Sequence, residues 1–286
     1  MTPSVRETLA GAADRLRAAG IESARLDSRV LLAQCLGLSP DAVFAADAPS
    51  APQLETFERL IARRAGREPL AYITGRREFW SLSFAVGPGV LIPRPETETL
   101  VEAVLAEYPE PLAPLRVLDI GTGSGCLLCA LLAERPRASG FGVDSSTLAL
   151  DFARRNAARH GLDARARLLE ASWCPAGERD FDVIFSNPPY LTEEEFELSP
   201  PEIRDHEPRI ALAAGPDGLA AMRALGLVFA RTLGHAGLAF LEIGFGQCDK
   251  IDEIMGSCGL ELRRAIPDLS EVPRCLVIGR PGKGGA

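Results

Sequence analysis

The tetrapeptide Asn187-Pro188-Pro189-Tyr190 follows an apolar run and carries groups that could hold a planar amide nitrogen. The carboxamide oxygen of Asn187 and the carbonyl oxygen of Pro188 can each accept a hydrogen bond from one NH₂ group. A nitrogen held in this way can aim its lone pair at a methyl donor, which is catalysis by positioning and electrostatic stabilisation. The prolines would fix both acceptors, and Tyr190 offers an aromatic face to a flat amide or base. The alternative is a Pro-Pro turn that ends a strand.

A glycine-rich loop, with GxGxG spacing, follows an earlier apolar run, 116–120, and precedes a helical pattern. Glycine permits a tight turn and close approach of the backbone to a ligand at a helix N-terminus. The order of strand, turn and helix strengthens this otherwise weak signal. We therefore predict that the loop formed by Gly121, Thr122, Gly123, Ser124 and Gly125 lies against a ligand.

Asp144 ends the next predicted strand, 23 residues after the first glycine. A carboxylate there can accept two hydrogen bonds from a ribose diol, or it can cap the helix that starts at Ser145 or Ser146. A dinucleotide pyrophosphate usually requires GxGxxG. S-adenosylmethionine has no phosphate, and its ammonium group favours a nearby acidic residue such as Asp119. The loop therefore indicates S-adenosylmethionine rather than NAD.

These loops must meet at one edge of a sheet. From residue 93, seven apolar runs predict strands at Arg116–Ile120, Gly140–Val143, Arg167–Leu169, Asp182–Ser186, Gly237–Ile243, Leu260–Ala265 and Cys275–Gly279. Helical patterns separate them near 95–107, 124–134, 147–160, 217–233 and 247–257. This alternation predicts a parallel, doubly wound α/β sheet of Rossmann-like type, which binds ligands at the carboxyl ends of its strands.

The residues before 93 carry no chemical motif. Helical periodicity is visible at Val5, Leu9, Ala12, Ala13 and Leu16, at Leu26, Val30, Leu31 and Ala33, and at Leu54, Phe57, Leu60 and Ile61. Alternation over 79–86, a Gly-Pro-Gly turn at 87–89 and a second apolar run at 90–92 predict a β-hairpin. We therefore predict a helical bundle over 1–74, a hairpin linker over 75–92 and a catalytic domain over 93–286.

The composition excludes several classes of protein. The net charge is −8 and the pI about 5.1, which argues against a protein that grips nucleic acid mainly through phosphates. The N-terminal residues lack a signal-peptide pattern, and no run approaches the roughly 20 apolar residues of a membrane span. The seven scattered cysteines suit a reducing cytoplasm, and the Cys126-x-x-Cys129 pair lacks the second pair of ligands that a metal site needs. We expect a cytoplasmic protein without a metal.

Five segments resemble the protein-(glutamine-N5) methyltransferases that modify peptide chain release factors, also called the HemK family. They are PLAYITGRREFWSLSFAVGPGVLIPRPETETLVE (69–102), VLDIGTGSGCL (117–127), NPPYL (187–191), HEPRIALAAGPDGL (206–219) and EIGFGQ (242–247). The NPPY tetrapeptide alone is shared with enzymes that methylate exocyclic amines of nucleobases. The IPRPETE and HEPRIALAAGPDGL stretches are far more specific to the release-factor enzymes.

The resemblance implies methyl transfer from S-adenosyl-L-methionine to N5 of the glutamine in the release-factor GGQ motif, which tunes translation termination. It implies that residues 121–125 line the cofactor, with Asp144 on its ribose and S-adenosyl-L-homocysteine as product. Residues 187–190 would bind the substrate glutamine, with catalytic roles for Asn187, Pro188 and Tyr190, and Asn187 would also touch the cofactor. Trp173 matches a family position beside the adenine, although Ser172 replaces a common aspartate.

Other charged residues have two interpretations. Arg94, Glu96 and Glu98 either lie near the mouth of the site, as the resemblance implies, or form an ordinary helix start with acidic residues in its first turn. His206, Glu207 and Arg209 either order a loop over the site or are surface charges. We assign no catalytic base to any of the three histidines, because the chemistry needs none before methyl transfer.

Three alternatives use the same motifs differently. The first is a methyltransferase of nucleic-acid exocyclic amines, of the adenine-N6 type, which would need a basic track and a means of extruding its base. The second is an NAD-dependent oxidoreductase, which leaves NPPY without a role. The third is a non-catalytic S-adenosylmethionine sensor. We favour the release-factor enzyme, a monomer that binds the GGQ loop and no nucleic acid, and we expect the N-terminal bundle and hairpin to dock the release factor.

Overall fold

The computed structural model describes residues 3–282, which divide into two compact units. The helical unit contains the residues up to Arg76 together with Pro200–His206, and the sheet unit contains Arg77–Ser199 and the residues from Glu207 onward. Within the described residues, no helix is long and apolar enough to cross a membrane.

The helices are numbered in chain order. They are α1 (Val5–Ala18), α2 (Ala24–Leu36), α3 (Ala51–Ala65), α4 (Leu70–Thr74), α5 (Glu98–Glu107), α6 (Cys126–Glu134), α7 (Thr147–Arg159), α8 (Glu193–Glu197), α9 (Pro201–Arg204), α10 (Ala220–Thr232) and α11 (Cys248–Ser257). The strands are β1 (Arg76–Phe79), β2 (Leu82–Ala85), β3 (Arg116–Ile120), β4 (Ser139–Asp144), β5 (Ala166–Glu170), β6 (Phe181–Ser186), β7 (Leu233–Glu242), β8 (Glu261–Pro267) and β9 (Pro273–Gly279).

The helical unit confirms the predicted bundle, with one correction in α2. The five predicted apolar residues of α1 are all buried. In α2, however, Leu26 is 49% exposed, and Asp27 and Ser28 face the core instead. The reason is that the Asp27 carboxylate accepts a hydrogen bond of 2.7 Å from Nε of Arg64, a buried arginine on α3. This buried ion pair rotates the polar side of α2 inward.

The sheet unit contains the predicted seven-stranded sheet, in the order β5-β4-β3-β6-β7-β9-β8. The prediction of a wholly parallel sheet was wrong for β9, which is antiparallel to both β7 and β8. A parallel strand requires a long crossover connection, whereas only residues 268–272 separate β8 from β9, so these two strands form a hairpin. The sheet is therefore mixed, and the predicted Rossmann-like α/β class with seven strands is confirmed.

The β-hairpin before the sheet is confirmed, but its turn was misplaced. The turn lies at Trp80-Ser81, where both residues have positive φ angles of 52° and 56°, rather than at Gly87–Gly89. A two-residue turn of this kind matches the twist of its strands. Trp80 tolerates the conformation because its backbone N–H donates to Glu98 and its indole N–H to Glu134. Residues 90–92 form no strand.

Alternation along the strands buries both faces of the sheet. Val117 on β3 packs into one apolar cluster with Leu100 of α5 and Leu128 of α6. The next residue, Leu118, points to the opposite face and packs with Phe229 of α10. Helices on both faces leave the strand ends as the accessible edge, which is where an open α/β sheet binds ligands.

Candidate active site at the carboxyl edge of the sheet

A cavity of about 340 Å³ in the sheet unit lies where β3, β4 and β6 end. Its size falls at the lower end of the range for small-molecule sites. The predicted residues that line it are Gly121, Thr122, Gly123, Ser124, Asp144, Trp173, Asn187, Pro188 and Pro189. The cavity lining does not include Gly125 or Tyr190. Most of the residues predicted from separate motifs are thus brought together, although their roles remain predictions.

The glycine loop has the backbone that its composition predicts. Gly121, Gly123 and Gly125 all have positive φ, at 73°, 55° and 80°. The amides of Gly121 and Thr122 both donate to the Val143 carbonyl, so the loop is tied to the end of β4. Gly125 begins α6, where a Cβ atom would lie 3.2 Å from the Ala153 Cβ. Gly125 therefore serves helix packing beside the cavity.

Asp144 connects two loops at the cavity. Its Oδ2 accepts from the Gly123 amide and its Oδ1 from the Ser146 amide, each at 2.9 Å. The N-cap of α7 is Ser146, whose hydroxyl accepts from Ala149 N, so Asp144 is not itself the cap. A carboxylate has about four acceptor positions, and the two backbone bonds leave capacity for a ligand diol.

Asp119 lies beneath the loop and does not line the cavity. The Thr122 hydroxyl donates to it at 2.6 Å, and burial raises the pKa of the Asp119 carboxyl to about 7. Asp119 thus supports the loop through Thr122, and its expected place near a ligand ammonium group stays a prediction.

Backbone hydrogen bonds to residues 212–214 hold the NPPY segment. The amides of Tyr190 and Leu191 donate to the Leu212 carbonyl at 3.1 and 2.9 Å, and Ala214 N donates to the Leu191 carbonyl at 2.8 Å. The Gln247 side chain donates to the Tyr190 carbonyl at 2.9 Å. Burial raises the pKa of the Tyr190 phenol to about 12, so it stays protonated at neutral pH. The IALAAGPDGL and EIGFGQ stretches therefore brace the tetrapeptide.

Gly218 packs closely against this segment. A Cβ at Gly218 would lie 2.4 Å from the Tyr190 carbonyl oxygen, and φ is +69°. We expect Gly218→Ala to lower the free energy of unfolding by about 1–3 kcal/mol, the usual cost of overpacking, because the NPPY segment must move. Chemical denaturation would measure this loss.

Gly215→Ala is the matched control for that substitution. Gly215 lies in the same 206–219 stretch and has a similar φ of +82°. A Cβ atom there would have only the Ala220 Cβ nearby, at 3.9 Å. Both variants share the strain of an L residue at positive φ. Equal losses of stability in the two variants would show that contact with Tyr190 is unimportant.

The charged residues that had two interpretations in the sequence make different contacts in the structure. Arg94 lines the cavity and donates to Glu207 at 2.5 Å, and the buried Glu207 also accepts from the Ile92 amide. Glu207 thus orders the chain around Arg94. Glu98 instead braces the hairpin turn, and Glu96 does not line the cavity.

Two further residues, which sequence reasoning did not single out, form a hydrogen-bonded series with Asn187. Asn187 Nδ2 donates to Thr97 Oγ1 at 3.2 Å, and Thr97 Oγ1 donates to Glu242 Oε2 at 2.6 Å. Glu242 is 1% exposed, and burial raises the pKa of its carboxyl to about 7. Their presence within IPRPETE and EIGFGQ was the available signal. Within residues 3–282, no group of three or more His, Cys, Asp and Glu is arranged to hold a metal ion.

Comparison with known proteins places this chain in a family. A release factor glutamine methyltransferase of Caulobacter vibrioides is 41% identical over 280 residues, which cover 97% of this chain and 96% of the relative. This chain belongs to the release factor glutamine methyltransferase family. Another member, from Rhodospirillum rubrum, is 42% identical over 275 residues, or 94% of this chain and 83% of that protein. The resemblance drawn from the five segments is confirmed.

Two family models match separate parts of the chain. The family described as PrmC N-terminal domain matches residues 7–75, and the methyltransferase small domain matches residues 96–252. Among solved structures, the human Mettl16 catalytic domain, in complex with an RNA hairpin of the MAT2A 3′ untranslated region, has a TM-score of 0.58 at 17% identity. The match covers 79% of this chain and 84% of that one, and it supports the methyltransferase fold.

Proposed function

We propose that this chain transfers a methyl group from S-adenosyl-L-methionine to the side-chain amide nitrogen of the glutamine in the GGQ motif of peptide chain release factors. The observation that carries the proposal is that one cavity is lined both by the glycine loop with Asp144 and by Asn187 with Pro188. A cofactor on the first set and an amide on the second would meet inside it. The family relatives bear the corresponding name.

The residues present fit this cofactor. Asp144 retains acceptor positions for a ribose diol, and the positive-φ glycines allow the backbone to lie against a ligand. Trp173 is 37% exposed and lines the cavity, where its ring can pack on an adenine, with Ser172 beside it. When bound, the cofactor would supply an electrophilic methyl group.

Asn187 and Pro188 would bind and orient the substrate amide. Because Asn187 Nδ2 is engaged with Thr97, its Oδ1 is the atom left to accept an N–H of the substrate amide. The Pro188 carbonyl would accept the second N–H, so the nitrogen would be held with its lone pair directed at the methyl group. The cavity lining contains no histidine, in keeping with a reaction that needs no base before transfer. Tyr190 would support this segment from outside the lining.

We further propose that the helical unit docks the release factor. The motifs that line the cavity all lie in the sheet unit, whereas the helical unit matches its own family model and carries no chemical motif. We also propose that the enzyme acts in the cytoplasm, where release factors work, and that it acts as a monomer.

A methyl-transfer assay with labelled S-adenosylmethionine tests the function. The acceptors would be unmodified release factor, its GGQ glutamine-to-alanine variant, and bulk DNA and RNA. We expect label on the intact release factor alone. Label on nucleic acid instead would support an exocyclic-amine methyltransferase. Absence of label in every acceptor, with the cofactor still bound, would support a sensor.

A further inference from the structure

A hydrogen-bonded row of three side chains runs from the cavity into the core of the sheet unit. Asn187 follows β6, Thr97 precedes α5, and Glu242 ends β7. Thr97 lines the cavity and is buried, while Glu242 lies behind it, outside the lining. The three residues come from distant parts of the chain, since Asn187 and Thr97 differ by 90 in residue number and Thr97 and Glu242 by 145.

The chemistry of the row gives it a direction. An ionised carboxylate only accepts hydrogen bonds, so the Thr97 hydroxyl must donate its one proton to Glu242. The Thr97 oxygen can then only accept, and Asn187 must present its NH₂ group rather than its carbonyl. Rotating the carboxamide by 180° would place a carbonyl oxygen against an oxygen that has no proton left to donate.

We propose that Thr97 and Glu242 are positioning residues that hold the Asn187 carboxamide with Oδ1 facing the substrate amide. The proposal rests on the proposed function, because it concerns how Asn187 accepts the N–H of the glutamine. A reversed carboxamide would present a donor to a donor and could not bind the substrate NH₂ group. The row therefore selects the catalytic orientation of a side chain whose two ends are nearly equal in shape.

The surroundings of Glu242 are compatible with a carboxylate that ionises near neutral pH. Burial, the largest influence, raises its pKa to about 7, while the hydrogen bond from Thr97 lowers it. The charged and titratable groups that act on Glu242 or respond to it are Arg94, Glu96, Tyr190, Arg274 and Cys275. The two arginines favour the ionised form and Glu96 opposes it.

Substitutions of Thr97 test the row. Thr97→Val keeps the shape but removes the hydroxyl, and we expect kcat on the release factor to fall by about 10–10²-fold, as for a misplaced catalytic group. Thr97→Ser restores the hydroxyl and should recover most of that loss. Thr99→Val, a substitution of a buried threonine in the first turn of α5, controls for the general effect of the change. A Thr97→Val enzyme with wild-type kcat would overturn the proposal.

A double substitution separates positioning from packing. If Thr97 acts through Asn187, then Thr97→Val should have almost no further effect on kcat once Asn187→Ala is present. Independent effects that multiply would show that Thr97 acts on the cavity directly, and would overturn the proposal. The wild-type enzyme is assayed in parallel. If the wild type does not methylate the release factor, the proposed function is wrong. If the wild type is active but the Thr97 variants do not behave as expected, the positioning role of Thr97 is wrong.

The pH profile provides the readout for Glu242. Protonated Glu242 can donate to Thr97, which frees the Thr97 hydroxyl to donate to a reversed Asn187. Wild-type kcat should therefore rise with pH up to about 7, the pKa of Glu242, and then level off. Glu242→Gln should lower kcat and remove that rise. Because Asp119 also has a pKa of about 7, a rise that persists in Glu242→Gln would assign it to Asp119 and overturn the role of Glu242.

Stability measurements distinguish the expected loss of kcat in Glu242→Gln from unfolding of the variant. A carboxyl whose folded pKa is raised favours the folded state at low pH, and that contribution declines as pH rises toward the folded pKa. Glu242→Gln carries no such dependence. Relative to wild type, it should therefore gain stability between about pH 5 and pH 7 while its kcat remains low.

Discussion

Asn187→Ala should lower kcat for methyl transfer to the release factor by about 10²–10³-fold, the usual loss when one stabilising group is removed at a reacting centre. The reason is that Asn187 lines the cavity and, with Nδ2 engaged by Thr97, has Oδ1 left to accept from a substrate amide. Cofactor affinity should fall by less than about tenfold, because a neutral hydrogen bond contributes only about 0.5–1.5 kcal/mol. Single-turnover kinetics and equilibrium cofactor binding measure the two quantities separately.

Asn187→Asp is the control that preserves the size of the side chain. A carboxylate has nearly the same shape, but it cannot donate to Thr97 and would add a charge close to Glu242. We expect it also to be slow, which would attribute the loss to the carboxamide rather than to lost volume. An Asn187→Ala enzyme within tenfold of the wild-type kcat would contradict the assignment of Asn187 as the amide acceptor.

Arg64→Leu should lower the free energy of unfolding of the helical unit by about 3–5 kcal/mol, the cost of leaving a buried charge without its partner. Arg64 and Asp27 are only 7% and 2% exposed, and Arg64 also donates to Glu202 at 3.0 Å. Glu202 keeps a second donor in Arg67, whereas Asp27 would lose its partner in the core. Urea denaturation followed by circular dichroism would measure the change.

Arg63→Leu provides the matched control, because it makes the same substitution at the adjacent position of α3. Arg63 pairs with Glu68, but the two side chains are 45% and 19% exposed, and such a pair contributes about 0–1 kcal/mol. Equal losses in Arg63→Leu and Arg64→Leu would contradict the view that the Arg64–Asp27 pair organises the core. Adding Asp27→Leu to Arg64→Leu should recover part of the stability, since an apolar pair can replace a buried ion pair.

Local patterns predicted much of this protein because they report local constraints. Periodicity identified α1 and α3, and apolar runs identified the seven strands of the sheet. The glycine loop and NPPY were recognisable because positive φ angles and a rigid Pro-Pro pair require particular residues at particular positions. Since parallel strands place their carboxyl ends together, the shared cavity followed from the predicted order of elements.

The errors arose where a distant residue changed the outcome. Leu26 was predicted to lie on the apolar face of α2, but Arg64 draws Asp27, 37 residues away in the chain, into the core instead. The hairpin turn forms at Trp80-Ser81 because Glu98 and Glu134 satisfy Trp80 there, although Gly-Pro-Gly was the stronger local signal. The direction of β9 depends on its short connection to β8 rather than on its own apolar pattern.

The sequence by itself determined the strand and helix alternation, the loop that can approach a cofactor and the tetrapeptide that can hold an amide. These follow from chemistry within a few residues of one another. Only the tertiary structure decided that the Asn187 carboxamide is held through its NH₂ group, because that depends on Thr97 and Glu242 from other elements. A hydrogen bond between distant residues leaves no periodic trace in the chain. These bonds form only once folding brings the ends of β6 and β7 to the start of α5.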